Sequence, residues 1–183
     1  MDHMTPSRDG HAAGGMSHGG TSYGRFLAMV ATSTAVMFVL MYFNTYALDH
    51  VWFSQTRLWM ALVMGAAMAV IMLAFMLGMY RNRRANTAIF IASVAVFAVA
   101  LWLVRSQATV DDVSYMEAMI PHHSIAIMTS ARAHIRDPRV RKLADGILEA
   151  QIREIGEMEA LVRDLKAHPV PAGSPDLPPP GRP

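Results

Sequence analysis

Residues 58–80 read LWMALVMGAAMAVIMLAFMLGMY, a continuous run without a charged side chain. A helix needs about 20 predominantly apolar residues to cross roughly 30 Å of hydrocarbon. Two more uncharged runs, 26–48 before it and 85–104 after it, meet the same requirement. A soluble bundle is disfavoured because none of the three runs has a polar face. The sequence therefore predicts an all-α protein in which residues 25–105 form three transmembrane helices.

The orientation of these spans is predicted from their basic flanks. Arg81, Arg83 and Arg84 fill the short turn between the second and third runs. By the positive-inside rule this turn is cytoplasmic. Counting spans then places the N-terminus in the cytoplasm and everything after Arg105 outside. The expected location is a bacterial inner membrane, with the C-terminal segment in the periplasm.

The composition indicates soft-metal chemistry without thiolates. The chain has 16 methionines, 8 histidines and no cysteine. Thioether and imidazole donors suit Cu(I) and Cu(II), whereas structural zinc and iron–sulfur sites usually recruit thiolate. The net charge of +2 is too small to indicate a nucleic-acid partner.

Methionines recur every fourth residue through the second run, forming a row that winds slowly around the helix. These residues are Met60, Met64, Met68, Met72 and Met76, with Met79 following. One interpretation is a thioether track for Cu(I). The other is packing, because methionine fills irregular contacts and the adjacent row Ala61, Gly65 and Ala69 favours close helix approach.

Residues 110–167 are predicted to form an extramembrane helical hairpin. Its turn is Arg136-Asp137-Pro138, with Asp137 as N-cap and Pro138 at the first helical position. Pro121 is expected to kink or restart the first helix. The second helix carries an apolar stripe whose middle is polar, made of Val140, Ala144, Ile147, Gln151, Glu154, Met158, Leu161 and Leu165.

The stretch Met119-Ile120-Pro121-His122-His123 places two imidazoles and a thioether together on the first helix. Met119 and His123 are four residues apart and can share an ion. If the hairpin closes, Gln151 and Glu154 come opposite. The alternative is two ordinary helix histidines that are hydrogen-bonded to Glu154 and Gln151.

Enzymatic chemistry is not indicated by any motif. No glutamate of the hairpin has histidine three residues later, as a di-iron bundle requires. Nothing in the sequence supplies an oxyanion site or an orienting carboxylate for Ser124. The chain is interpreted as a binding protein and not as an enzyme.

The segment MEAMIPHHSIAIM at 116–128, followed by AQIREI at 150–155 and Met158, closely resembles the bacterial family of domain of unknown function 305. The resemblance implies a ferritin-like helical bundle, often exported and associated with copper binding or resistance. It carries candidate metal ligands over to Met119, His122, His123, Met128, Gln151, Glu154 and Met158. Met116, at the start of the same segment, is a further candidate ligand.

One departure from the family concerns size, because many members look like longer four-helix units and this chain has one hairpin. Two helices of this length cannot bury a core unaided. We therefore expect a homo-oligomer whose hairpins pair into a four-helix bundle, an arrangement in which two protomers can share the metal site.

The two ends of the chain are predicted to be disordered tails. Residues 1–24 are rich in Gly, Ser, His and Met, with weak copper capture as a possible role, and residues 168–183 are rich in proline.

Together these features predict a membrane-anchored, periplasm-facing copper-binding protein for copper tolerance or delivery, with the lipid bilayer and copper as its partners. One alternative is a copper transporter or channel that uses the methionine row. The other is a metal-free oligomerising membrane protein.

Overall fold

The computed structural model describes residues 19–177, with side chains from Tyr23 onward. Five α-helices follow one another: α1 Gly19–Leu40, α2 Gln55–Phe75, α3 Arg83–Ser106, α4 Asp112–Arg132 and α5 Pro138–Ala167. A short 3₁₀ turn, Leu48–His50, lies between α1 and α2. Residues 19–177 contain no strand, which confirms the all-α prediction for this range.

Three of the helices are long and apolar enough to cross a membrane, over Tyr23–Leu40, Gln55–Phe75 and Arg83–Ser106. The second and third agree with the predicted spans to within a few residues. The predicted end of the first span at 48 is wrong, because α1 ends at Leu40 and the chain turns. Residues 19–24 belong to α1 and not to a tail, and the rest of the predicted N-terminal tail lies outside the described residues.

The helix α2 is central among the spans and packs against both α1 and α3. Gly65 makes the close approach to α1 possible, since a Cβ built there would overlap the hydroxyl of Thr34. A buried cluster of Phe26, Leu73 and Tyr80 lies where α1 begins and α2 ends. The Asn86 amide closes this end by donating to the Tyr80 carbonyl at 2.7 Å.

The methionine row is divided between helix contacts and exposed positions, since Met60 and Met79 are exposed. Met72 and Met76 pack against the Phe26–Leu73–Tyr80 cluster. A cavity of about 850 Å³ opens among α1, α2 and α3, and small and aliphatic residues line it. None of the described methionines lines this cavity. The placement of Met72 and Met76 agrees with the packing interpretation.

The hairpin is formed by α4 and α5. Asp111 caps α4 by accepting from the Ser114 amide at 2.7 Å, and Asp137 caps α5 ahead of Pro138, as predicted. The expected restart at Pro121 does not occur, and α4 runs through it as one helix. Proline removes a single backbone hydrogen bond, and the burial of Pro121 offsets part of that cost.

The apolar stripe predicted for α5 combines two neighbouring rows. The row that faces α4 contains the buried residues Ala144, Ile155 and Val162, with Leu148 and Met158 half-buried. The prediction is wrong for three residues of the stripe, which are exposed: Val140, Ile147 and Leu161. A helical repeat of three and four residues fits two adjacent rows equally well, so periodicity alone does not separate them.

The connection between α1 and α2 covers the hairpin. Ile120 and Ile127 of α4 and Ile155 of α5 form the core of the hairpin, and Trp52 packs against this core. The Tyr46 amide donates to the buried Ser124 hydroxyl at 2.7 Å. The Gln55 amide donates to the Ser114 hydroxyl at 2.9 Å. The connection and the hairpin therefore lie at the same end of the three spans.

We expect Gly65→Ala to destabilise the protein by roughly 1–3 kcal/mol, because the added methyl forces α1 away from α2. The measurement is the thermal unfolding midpoint of the purified chain in detergent. Gly24→Ala is the matched control, since a Cβ there meets nothing within 4 Å. Equal midpoints for the two variants would contradict the close α1–α2 contact.

Candidate metal centre

A histidine and a glutamate meet across the hairpin seam. His123 Nδ1 of α4 lies 3.2 Å from Glu154 Oε2 of α5. The side chain of His123 is 13% exposed and that of Glu154 is 39% exposed. The distance is that of an ion pair, but the Nδ1 atom is buried without an aligned hydrogen bond. A buried ring nitrogen therefore faces a carboxylate oxygen with no proton well placed between them.

The hydrophobic core positions this pair. Ile120 and Ile127 lie three residues before and four after His123, on the buried face of α4. Ile155 directly follows Glu154 and is buried against both. Gln151, one turn before Glu154, donates its amide to the same carboxylate oxygen at 3.4 Å. Packing on one side and Gln151 on the other hold the carboxylate toward the imidazole.

Burial sets the protonation state of His123. Desolvation lowers the pKa of His123 below its ordinary value, the Glu154 carboxylate raises it by a smaller amount, and His122 lowers it further. The imidazole is therefore neutral at pH 7 and keeps a lone pair. A neutral imidazole is the form that binds a metal ion.

The structure brings some of the predicted ligands close to this pair and separates others. Met158, one turn after Glu154, packs against the isoleucine core. Met116 is buried and Met128 is half-buried, both on α4. Met119 and His122 line a different cavity, beside Arg57 at the start of α2. The rings of His122 and His123 have centroids 6.1 Å apart.

Within residues 19–177, no three His, Asp or Glu side chains come together in a metal-holding group. His123 and Glu154 supply two donors. A metal ion between them would take its other donors from thioether or amide groups, or from a second copy of the chain.

A second polar cluster was missed by the sequence analysis. His50 Nδ1 lies 3.0 Å from the Ser124 hydroxyl, and Asp49 Oδ1 lies 4.0 Å from His50 Nε2. The expectation that nothing orients Ser124 is therefore incomplete. Ser124 is fully buried and its oxygen accepts from the Tyr46 amide, so the cluster joins two segments and exposes no nucleophile. Local sequence gives no signal for it because the partners are 74 residues apart.

The fold combines three helices that are long and apolar enough to cross a membrane with a helical hairpin that carries the His123–Glu154 pair. Residues 112–179 match the model of a family described as a domain of unknown function, DUF305, and this segment is a domain of that family. The chain is also 36% identical, over 78 residues, to an uncharacterized protein of Acanthamoeba polyphaga mimivirus. That alignment covers 42% of this chain and 51% of the relative, so it spans about half of the relative's length. No solved structure matches the chain.

The lowered pKa of His123 predicts a pH dependence of stability. In the folded chain His123 resists protonation, whereas in the unfolded chain it protonates near its ordinary pKa of about 6.5. Its contribution to stability is complete above that pH and is lost as pH falls toward its lower folded-state pKa. The test follows unfolding of chelator-treated protein by circular dichroism between pH 7.5 and 5.5. The free energy of unfolding should fall more steeply with decreasing pH for the native chain than for His123→Gln. The other histidines are common to both proteins, so parallel curves would contradict the assignment.

Proposed function

We propose that this chain is a membrane-anchored copper-binding protein, with the His123–Glu154 pair as the core of its metal site. The observation that carries the proposal is the unaligned contact of 3.2 Å between a buried imidazole nitrogen and a carboxylate oxygen. In the tautomer that carries its proton on Nε2, the Nδ1 lone pair and the carboxylate oxygen would repel each other, and a cation between them would remove that repulsion.

The distance between the two atoms suits a shared ion. Nitrogen and oxygen ligands lie roughly 2.1 Å from a divalent first-row metal. If the angle between the two metal–ligand bonds is about 100°, the nitrogen and oxygen atoms are about 3.2 Å apart. The observed spacing is therefore compatible with both atoms binding one metal ion. The alternative, a plain histidine–glutamate pair, would bring the ring N–H into line with the carboxylate.

Copper is the metal that this donor set favours. Met158 is next to the pair along α5, and the chain offers many thioethers and no thiolate. Imidazole and thioether suit copper in both oxidation states, whereas carboxylate and amide oxygens strengthen binding of the oxidised ion. The proposed roles are nitrogen ligation by His123, oxygen ligation by Glu154, orientation by Gln151 and sulfur ligation by Met158.

A second copy of the chain is proposed to complete the site. Beside the seam, α5 exposes the apolar residues Val140, Leu143, Ile147 and Leu161, and Glu154 belongs to this row by its spacing. A groove of about 540 Å³ follows the row from Arg139 to Gln151. Pairing of two such rows would bury apolar surface and bring two Glu154 side chains near one another, as in a four-helix bundle.

The proposed location is a bacterial inner membrane with the hairpin in the periplasm, where it would serve copper tolerance or delivery. Support comes from the three membrane-spanning candidates and from the arginines between α2 and α3, at the end of the spans away from the hairpin. Copper transport along the methionine row gains no specific support, since Met72 and Met76 lie in a packed cluster.

We expect the purified full-length chain to bind copper, and His123→Ala or Glu154→Gln to weaken binding by about tenfold to a hundredfold. Competition with a chromogenic Cu(I) chelator and calorimetric titration with Cu(II) measure the two oxidation states. His134→Ala, an exposed histidine beyond the end of α4, is the control and should bind as the native chain does. Unchanged affinity in His123→Ala would refute the proposed site.

The assembly proposal is tested by placing a charge on the exposed row. Leu143→Glu should weaken self-association by roughly thirtyfold or more, because a buried interface residue is worth about 2 kcal/mol. Light scattering of the full-length protein in detergent measures its mass. Ile152→Glu is the matched control, because Ile152 lies on the opposite flank of α5 and is also exposed, at 54% against 64% for Leu143. A monomeric native chain, or equal loss in both variants, would overturn the proposed interface.

A further inference from the structure

A cavity of about 250 Å³ lies where the membrane spans meet the hairpin. Polar and apolar residues from three regions of the chain line it: Ser54, Thr56 and Arg57 at the start of α2, Gln107 after α3, and Tyr115, Ala118, Met119 and His122 of α4. The cavity is smaller than the roughly 300–1,000 Å³ of drug-sized ligand sites, so it suits a small group. No aspartate or glutamate lines it.

Arg57 carries a positive charge with no counter-ion in the described chain. Its guanidinium stacks on the Tyr42 ring, 4.5 Å from the centroid, and donates to the Met41 carbonyl. No carboxylate of residues 19–177 forms an ion pair with it. A half-buried guanidinium has several donors, and burying such a charge is costly unless it is paired.

Two acidic residues in the first part of the hairpin are already engaged elsewhere. Glu117 pairs with Lys166 at 2.7 Å. Asp111 caps the start of α4 through the Ser114 amide. The charge of Arg57 is therefore available to an anion from outside the described part of this chain.

The position of Arg57 indicates where such an anion comes from. It is the third residue of the candidate span Gln55–Phe75, so a bilayer that surrounds this span would have its headgroup region close to Arg57. The start of α2 adds the positive end of a helix dipole. Guanidinium groups bind phosphate through paired hydrogen bonds, and His122 and Tyr115 add polar groups to the rim.

We infer that this cavity binds a phosphate-type anion, either the headgroup phosphate of a membrane lipid or free inorganic phosphate. The same positive charge disfavours a metal cation there. The inference is independent of the proposed copper site, and it gives His122 a role apart from that of His123.

The test compares the two anion sources on the full-length chain in a neutral detergent. In the lipid arm, phosphatidylglycerol is added in mixed micelles, and bound lipid is counted by native mass spectrometry. In the second arm, inorganic phosphate is titrated while the thermal midpoint is followed. Retention of lipid alone identifies a headgroup site, and stabilisation by phosphate alone identifies a soluble anion. Either result supports the inference if it depends on Arg57.

Arg57→Gln should lower the affinity for the bound anion by roughly tenfold to a hundredfold, as expected when a charge-assisted hydrogen bond is lost. Arg57→Lys keeps the charge and should retain more binding than Arg57→Gln. The control is Arg105→Gln, because Arg105 is exposed at the hairpin end of α3 and lies outside the cavity.

His122→Glu provides a variant at an exposed position, where folding is little affected, and it places a negative charge on the rim. It should weaken binding as Arg57→Gln does. The inference is overturned if neither lipid nor phosphate binds, or if Arg57→Gln and His122→Glu both bind the anion as tightly as Arg105→Gln.

Discussion

The packing of the α1–α2 connection against the hairpin is the contact on which the rest of the structure depends. Two helices alone bury too little apolar surface to hold a fixed geometry. Trp52 adds a large aromatic side chain to the isoleucine core, and aromatic side chains dominate the energetics of small cores. The Lys166 ammonium lies 5.4 Å from the centre of the Trp52 ring and pairs with Glu117. A cation–π contact and an ion pair therefore lie at the outer edge of this packing.

That contact also explains why the candidate metal pair is ordered. With the core fixed, Ile120, Ile127 and Ile155 determine where His123 and Glu154 face one another. Burial keeps the imidazole neutral, and partial exposure keeps the carboxylate reachable. One packing arrangement therefore supplies both the protonation state and the access that a metal ligand needs. Trp52 also supplies part of the core that two helices alone lack, so the hairpin depends less on a second copy of the chain for its packing.

The two adjacent histidines illustrate how a helix divides neighbouring residues between environments. Successive side chains on a helix diverge by about 100°. His123 enters the seam with α5, whereas His122 turns toward Arg57 and the membrane boundary. The sequence motif groups them, but their electrostatic surroundings are opposite: a carboxylate beside one and a guanidinium at the cavity of the other. A shared motif therefore does not imply a shared ligand.

Sequence alone is enough to predict the helical class, the three apolar spans, the cap at Asp137, and the facing of His123 and Glu154 in a closed hairpin. These features follow from local composition, from the helical repeat and from a short turn that closes a hairpin. Only the tertiary structure decided the end of α1 at Leu40, which of two adjacent rows on α5 is buried, and the separation of Met119 and His122 from the seam. It also revealed the contact of His50 and Trp52 with α4. Each of these depends on segments far apart in the chain, and helical periodicity carries no information about which distant segment covers which face.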